Sequence, residues 1–283
     1  MSDTKVSGLV AASTPLDESW LLALARGAPD NLDRRATLAD VRGVAGPGLQ
    51  RNAGEWSALL PLGDLRAVVF ESDFLNAVPG IGSYNTGTGA IMQMATHALA
   101  EHGAVEFGTG STATGRAGFI WPSANPAANP ACRFGLGPAS FRARVRPTVL
   151  SDGTNTYGIR IGFTLDPATS TPTDGFFFEY APASRLNGNW WCVSRVDNVD
   201  RAIDSGVAVS ATVFHLLEVS MNADATQIVS RINGAIVDAN TTNLPGTRRM
   251  GYGGAILKTV GTTARFFLLD WLQVQFFYPG GRP

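Results

Sequence analysis

An all-β sandwich of short antiparallel strands is the fold class that the sequence predicts, and three observations predict it. The stretch from Asn189 to Pro245 reads as consecutive strands separated by tight turns, a β-meander of the kind that builds sandwiches and jelly rolls. Upstream of it, apolar and polar residues alternate with period two over Ser140 to Arg146, Tyr157 to Leu165 and Gly175 to Tyr180. Charged residues make up only 16% of the 283 residues while glycine reaches 32, which suits tightly turned β structure better than a long charged helix or a disordered tail.

In chain order, the first 45 residues differ from the rest. Lys5 to Leu9 is a strand-like piece, Ser13-Thr14-Pro15 a turn, and Glu18 to Ala25 an apolar segment holding Trp20, Leu21, Leu22 and Leu24. A polar turn at Pro29-Asp30-Asn31, a basic pair at Arg34-Arg35 and a short helix capped by Thr37, with Asp40 three residues on, complete this segment. About 45 residues bury little apolar surface alone, so Trp20 and its leucines need a partner surface, in the same chain or in another molecule. Trp20, Leu22, Arg34 and Arg35 are therefore the candidate attachment residues. The Gly/Pro-rich run Gly43 to Gly48 marks the boundary. The division is a module over 1–45, a connector over 46–66 and a β domain over 67–283.

Ala67 to Phe70 begins that domain. Ser83 to Ala90 and Gly108 to Gly118 are rich in Gly, Thr and Ser and read as turns or edge loops, while Ile91 to Ala100 fits a strand or a short helix. Pro122, Pro126 and Pro130 exclude central-strand pairing between Trp121 and Pro130. Arg142, Arg144 and Arg146 share one side of their strand, the pattern of a solvated sheet face. Asn189 to Arg195 follows as a Trp-containing strand. Leu216 to Asn222 is a strand, Asn222-Ala223-Asp224-Ala225 a turn, and Gln227 to Ile232 places Ile228, Ser230 and Ile232 on one face. Asn233-Gly234 then closes a two-residue hairpin, because both central positions of the favoured turn need positive φ. The last strand runs from about Thr263 to Tyr278, with Phe266, Leu268, Leu272, Val274, Phe276 and Tyr278 as its inward face. Asp270 interrupts that face, where a carboxylate needs hydrogen-bond or charge partners, or else binds a ligand or metal.

Several of these residues carry a resemblance. The Trp strand, a turn over Asp204 to Val207, the aromatic-His-Leu strand start at Phe214 to Leu216, and the Asn-Ala-Asp, Ile-Asn-Gly and Asn-Leu-Pro steps resemble the concanavalin A-like jelly-roll domains of tailed-phage fibre and tail proteins. Gly103 to Phe107 and Gly115 to Gly118 extend the likeness, so that it covers roughly Val68 to Pro279. The order of elements in the first 45 residues resembles the N-terminal module of phage tail proteins, from which Leu9-Val10-Ala11 and Val41 depart slightly. The resemblance implies virion attachment through that module and assembly as a homotrimer. No heptad repeat is present to supply the trimer.

The 22 basic and 23 acidic residues leave a net charge of −1, which offers no electrostatic footprint for nucleic acid or an anionic membrane. No apolar run approaches the roughly 20 residues of a membrane-spanning helix; the richest is Phe266 to Leu269. The start MSDTKVSGLV lacks the features of a secretory signal, so accumulation in the cytoplasm of the producing cell is expected. Cys132 and Cys192 have neither metal nor framework spacing and read as buried free thiols.

Concanavalin A-like folds include glycosidases and polysaccharide lyases, so catalysis has to be tested at the residues. Glycosidases need two carboxylates across a cleft, and no Glu-x-Asp-x-Glu pattern occurs; Glu179 and Glu218 each stand alone on a strand. Lyase chemistry needs a Tyr or His base beside a charge-neutralising group, and the only histidines are His97, His102 and His215. Asp152-Gly153-Thr154-Asn155 and Asp197-Asn198-Val199-Asp200 offer oxygen ligands but no full calcium-loop pattern, and such runs usually make turns. Gly108-Thr109-Gly110-Ser111 lacks the Gly-Lys-Ser/Thr ending of a phosphate loop. No cofactor or metal is expected. Trp190 and Trp191 must point to opposite faces of their strand, so one is core and the other is outside, as an interface or glycan contact. The expected function is that of a non-enzymatic structural protein of a tailed-phage virion, in a tail fibre, spike or tail-tip appendage, with other virion proteins and a host-surface glycan as expected partners. A capsid-decorating fibre and a glycan depolymerase are the alternatives.

Overall fold

The computed structural model describes residues 49–52, 55–58, 67–74, 82–88, 90–94, 103–121, 132–164, 172–185 and 187–277. The chain divides into two units between Pro47 and Gly48, and every described residue belongs to the second. Trp20, Leu22, Arg34, Arg35, the helix at Thr37, His97, His102 and Tyr278 lie outside the described residues.

Eighteen strands and no helix make up the described residues. They are β1 (Leu49–Asn52), β2 (Glu55–Ala58), β3 (Ala67–Ser72), β4 (Gly82–Thr86), β5 (Ala90–Met94), β6 (Val105–Thr109), β7 (Arg116–Trp121), β8 (Cys132–Arg133) and β9 (Ala139–Pro147). The chain continues through β10 (Tyr157–Thr164), β11 (Gly175–Tyr180), β12 (Asn189–Val196), β13 (Val199–Ala208), β14 (His215–Met221), β15 (Ile228–Ile232), β16 (Ala235–Asn240), β17 (Arg249–Lys258) and β18 (Phe266–Phe277). Two antiparallel sheets form a sandwich. The first has the order β1-β2-β3-β18-β9-β14-β15-β16, with β6 also on β18 and β5 on β6; the second has the order β13-β12-β11-β10-β17-β7-β4, with β8 on β17. Residues 46–66, read as a connector, thus include the hairpin β1-β2, which joins the first sheet where Trp56 pairs with Glu71.

The core lies between the sheets and is rich in aromatic rings. Phe141, Leu217, Val219, Phe267 and Val274 enter from the first sheet, and Phe119, Ile161, Phe163, Phe176, Phe178 and Trp190 from the second. Phe163 and Phe176 have ring centroids 4.8 Å apart, and Phe134 meets both edge-on at 5.2 and 5.1 Å. Such offset and edge-to-face contacts suit the ring quadrupoles and add to the burial of apolar area. Cys132 and Cys192 are buried free thiols as expected. Burial pushes both thiols up, Cys192 to about 12, so neither forms the reactive thiolate near neutrality.

The meander follows its turn chemistry. The Asn222 side chain accepts from the N–H groups of Thr226 and Gln227, both at 2.9 Å, and Ala225 takes a φ of 57°. Asn233 and Gly234 have φ of 52° and 83°, and Ile232 pairs with Ala235 across them. Nothing lies within 4 Å of a Cβ added at Gly234, so only backbone strain opposes a side chain there. Gly234→Ala is therefore expected to cost about 1 kcal/mol, read as a shift in the urea midpoint with an unchanged slope.

Four expectations change. The even-numbered residues of β18 do not form one inward face: the register against β9 slips between Leu269 and Trp271. Before the slip Phe267 and Leu269 enter the core, and after it Leu272, Val274 and Phe276 do. Asp270 is the extra residue of this bulge, part-exposed and paired with Arg144, so it interrupts no apolar face. Asp204 to Val207 is no turn between strands; it lies inside β13, with Gly206 at φ 70° and the pairing to β12 shifting opposite it. Ser83 to Ala90 contains all but the first residue of β4 and the first residue of β5, and Gly108 to Gly118 gives its ends to β6 and β7. Finally β17, unread in the sequence, runs through the middle of the second sheet. Its Gly254 serves packing: a Cβ there would lie 2.9 Å from the Phe119 ring and 3.1 Å from Ile161.

Candidate functional site

The outer face of the second sheet carries two of the residues that the sequence marks for chemistry, Glu179 and Trp191. Registers β10-β11, β11-β12 and β12-β13 set Arg160, Glu179, Trp191 and Asp204 in one row across four strands. Tyr180 and Phe178 point into the core, so Glu179 between them must point out, and Trp191 follows it while Trp190 turns in. Glu179 is nonetheless buried, at 5% exposure, and it is not alone. Arg160 Nε donates to one carboxylate oxygen at 2.8 Å, and Arg185 Nε to the other at 3.3 Å. Arg185 reaches on to Asp200 at 3.4 Å, and Arg195 pairs with the same Asp200 at 2.7 Å. The result is a chain of alternating charges over β10 to β13.

Trp191 stands at the rim of this network. The Arg185 guanidinium sits 5.2 Å from its ring centroid, and its indole N–H donates to the Asn187 side chain at 3.1 Å. Asp204 accepts from the Asn187 and Asn189 amides and from the Gly206 N–H. The Gly206 N–H first, then the Asn189 amide, hold its carboxyl below the usual carboxylate range. Trp190 is fully buried and packs edge-on to Tyr180 and His215, so as a ligand contact it is corrected: no ligand reaches it.

The other sequence candidates are held by local structure. Asp152 accepts from the N–H groups of Asn155 and Thr154 at 2.6 and 2.8 Å and pairs with Arg265, a self-capped turn. Asp197 begins the β12-β13 turn and pairs with Arg248, which also holds the buried Asp174 at 2.6 Å. The Gly110 carbonyl accepts from the buried Lys258 at 2.5 Å, the reverse of an N–H cradle for phosphate. Glu218 lies on the outer face of the first sheet and pairs with Arg142 at 2.9 Å. Arg144 and Arg146 flank the Phe214 ring at 4.7 and 5.0 Å. Arg142 and Arg144 are exposed, as their alternation predicts. Sequence reading missed Arg160 and Arg185 as partners of Glu179. Arg160 had a signal, its outward place on an alternating strand; Arg185 had none.

The arrangement disfavours acid/base chemistry. A general acid must keep its proton near neutrality, and the environment of Asp204 acts in the opposite sense. Glu179 and Asp204 are two strands apart, about 10 Å between backbones, and Trp191 stands between them. Each oxygen of Glu179 is held by an arginine, and two such cationic partners stabilise the charged carboxylate rather than the protonated form a general acid needs.

A family model described as the SO2946-like, C-terminal domain matches residues 100–270, more than half of the chain. The chain belongs to the SO2946-like family. Among solved structures, the SO2946-like chain is similar to a protein of unknown function, SO2946 from Shewanella oneidensis MR-1. That match has a TM-score of 0.52 and 12% identity and covers 90% of this chain and 99% of that one. It is also similar to an endo-1,3-β-glucanase from Streptomyces sioyaensis, with a TM-score of 0.50, 12% identity, and coverage of 81% of this chain and 99% of that one. At such identities the likeness is one of fold alone, and the fold is the concanavalin A-like jelly roll expected from the sequence. No curated protein matches the SO2946-like chain in sequence.

Proposed function

We propose that this chain is a non-catalytic, glycan-contacting structural protein of a tailed-phage virion, part of a tail fibre, spike or tail-tip appendage. In this reading residues 1–45 attach it to other virion proteins, and the jelly roll meets the host surface as part of a homotrimer, where weak contacts add through effective concentration. The observation that carries the non-catalytic half is the double arginine pairing of Glu179, the buried carboxylate nearest the middle of the second sheet's outer face. The virion half is supported by the resemblance of the meander and of the first 45 residues to phage tail proteins.

The test has two arms. The purified full chain is expected to bind host-surface polysaccharide without releasing reducing ends; turnover abolished by Glu179→Gln would overturn the non-catalytic reading. Virions labelled at the C-terminus of the chain are expected to carry label on the tail, and capsid label would replace the tail assignment with a head-surface fibre.

A further inference from the structure

We infer that a groove across the outer face of the first sheet is a binding site for an uncharged saccharide, an inference that rests on the glycan-contacting role proposed above. The groove has a volume of about 450 Å³, within the range of small-ligand sites. Registers β3-β18, β18-β9, β9-β14 and β14-β15 place Val69, Gln275, Ser140, Ser220 and Val229 in a single row along it. With about 4.8 Å between neighbouring strands, that row is about 19 Å long, enough for an extended ligand.

What distinguishes this row is unused hydrogen-bonding capacity. One row away on the same face, Glu71 accepts from Trp271 and Gln273, and Arg142 pairs with Glu218. Across the sandwich, the polar side chains of the Glu179 row hold one another. Along the groove, by contrast, the amides of Gln275 and Gln227 and the hydroxyl of Ser140 have no side-chain partner among the described residues. The Ser220 hydroxyl reaches only the Val229 carbonyl, at 3.4 Å. Val69, Val229 and the exposed ring of Phe277 supply apolar surface beside these groups.

Among the described residues, no charged side chain lines the groove. It therefore lacks the guanidinium or ammonium that would hold an anion and the carboxylates that would hold a cation. A neutral sugar fits both halves of the lining: its C–H faces pack on Phe277 and the valines, and its hydroxyls exchange hydrogen bonds with amide and serine groups that donate and accept. An extended peptide fits less well, because β18, β9, β14 and β15 under the groove are already paired on both sides and offer no edge for main-chain pairing.

The experiment titrates the full chain with neutral gluco-oligosaccharides and, separately, with sialylated oligosaccharides, by calorimetry and amide chemical shifts. Neutral oligosaccharide is expected to bind. Gln275→Ala is expected to weaken it about tenfold and Ser140→Tyr, which fills the groove, to abolish it, while Val260→Ser, at an exposed position outside the groove, leaves it unchanged. Both groove positions are part-exposed, and an unchanged melting temperature certifies that each variant folds. Neutral binding that survives both groove variants would overturn this site and leave the proposed function standing. Binding of sialylated ligands alone would overturn the uncharged class, and no oligosaccharide binding at all would sink both readings.

Discussion

Replacing Glu179 by alanine is expected to destabilise the domain by about 3 kcal/mol, one of the largest effects of any surface-directed side chain in the described residues. The carboxylate is buried between Arg160 and Arg185, whose side chains are themselves only 17% and 21% exposed. Truncation removes the negative charge that both guanidinium groups share and leaves Arg185 with Asp200, and breaking a buried pair by removing one partner costs more than the intact pair contributes. Arg160→Ala in the Glu179→Ala background should therefore cost less than Arg160→Ala alone. A double-mutant cycle in urea, with a coupling of at least about 1 kcal/mol, checks this; additive costs would show that the pair holds nothing. Glu179→Gln keeps the shape and part of the hydrogen bonding, so its cost should fall between wild type and alanine.

Turn chemistry and alternation made much of this fold legible. Asn222 and Asn233-Gly234 act on neighbours a few residues away, and Arg142, Arg144 and Arg146 announce a solvated face by period two alone. What escaped depends on residues distant in the chain. Gly254 gives no strand signal because the reason for it, the Phe119 ring on β7 and Ile161 on β10, lies on other strands. β13 is an edge strand with little burial, and its Asp-Ser-Gly step reads as a turn when it is a bulge. Asp270 looked like a carboxylate in an apolar face because a one-residue slip in register exchanges the two faces of a strand. The site suffered in the same way. Glu179 looked solitary because its partners come from β10 and from the turn after β11, and the groove exists only once five strands are in register.

Trp190→Ala is the second large effect, an expected loss of about 4 kcal/mol, within the range for truncating a buried aromatic residue. Trp190 is fully buried between Tyr180 and His215, with centroids 6.3 and 6.2 Å away, so a large cavity would open at the centre of that end of the core. Among the described residues its indole N–H has no acceptor, and neither ring nitrogen of His215 has a partner. Trp190→Phe should accordingly cost far less than Trp190→Ala, since it removes an unsatisfied donor together with part of the apolar area. The same pocket makes stability depend on pH. Burial holds the His215 pKa below its ordinary value of 6.5, so below about pH 6.5 the unfolded chain takes up a proton that the folded chain resists. The contribution of His215 is thus fully present above that pH and declines as the pH falls. Urea midpoints at pH 7 and pH 5 should differ less in His215→Phe than in wild type; equal slopes in the two proteins would place the acid sensitivity elsewhere.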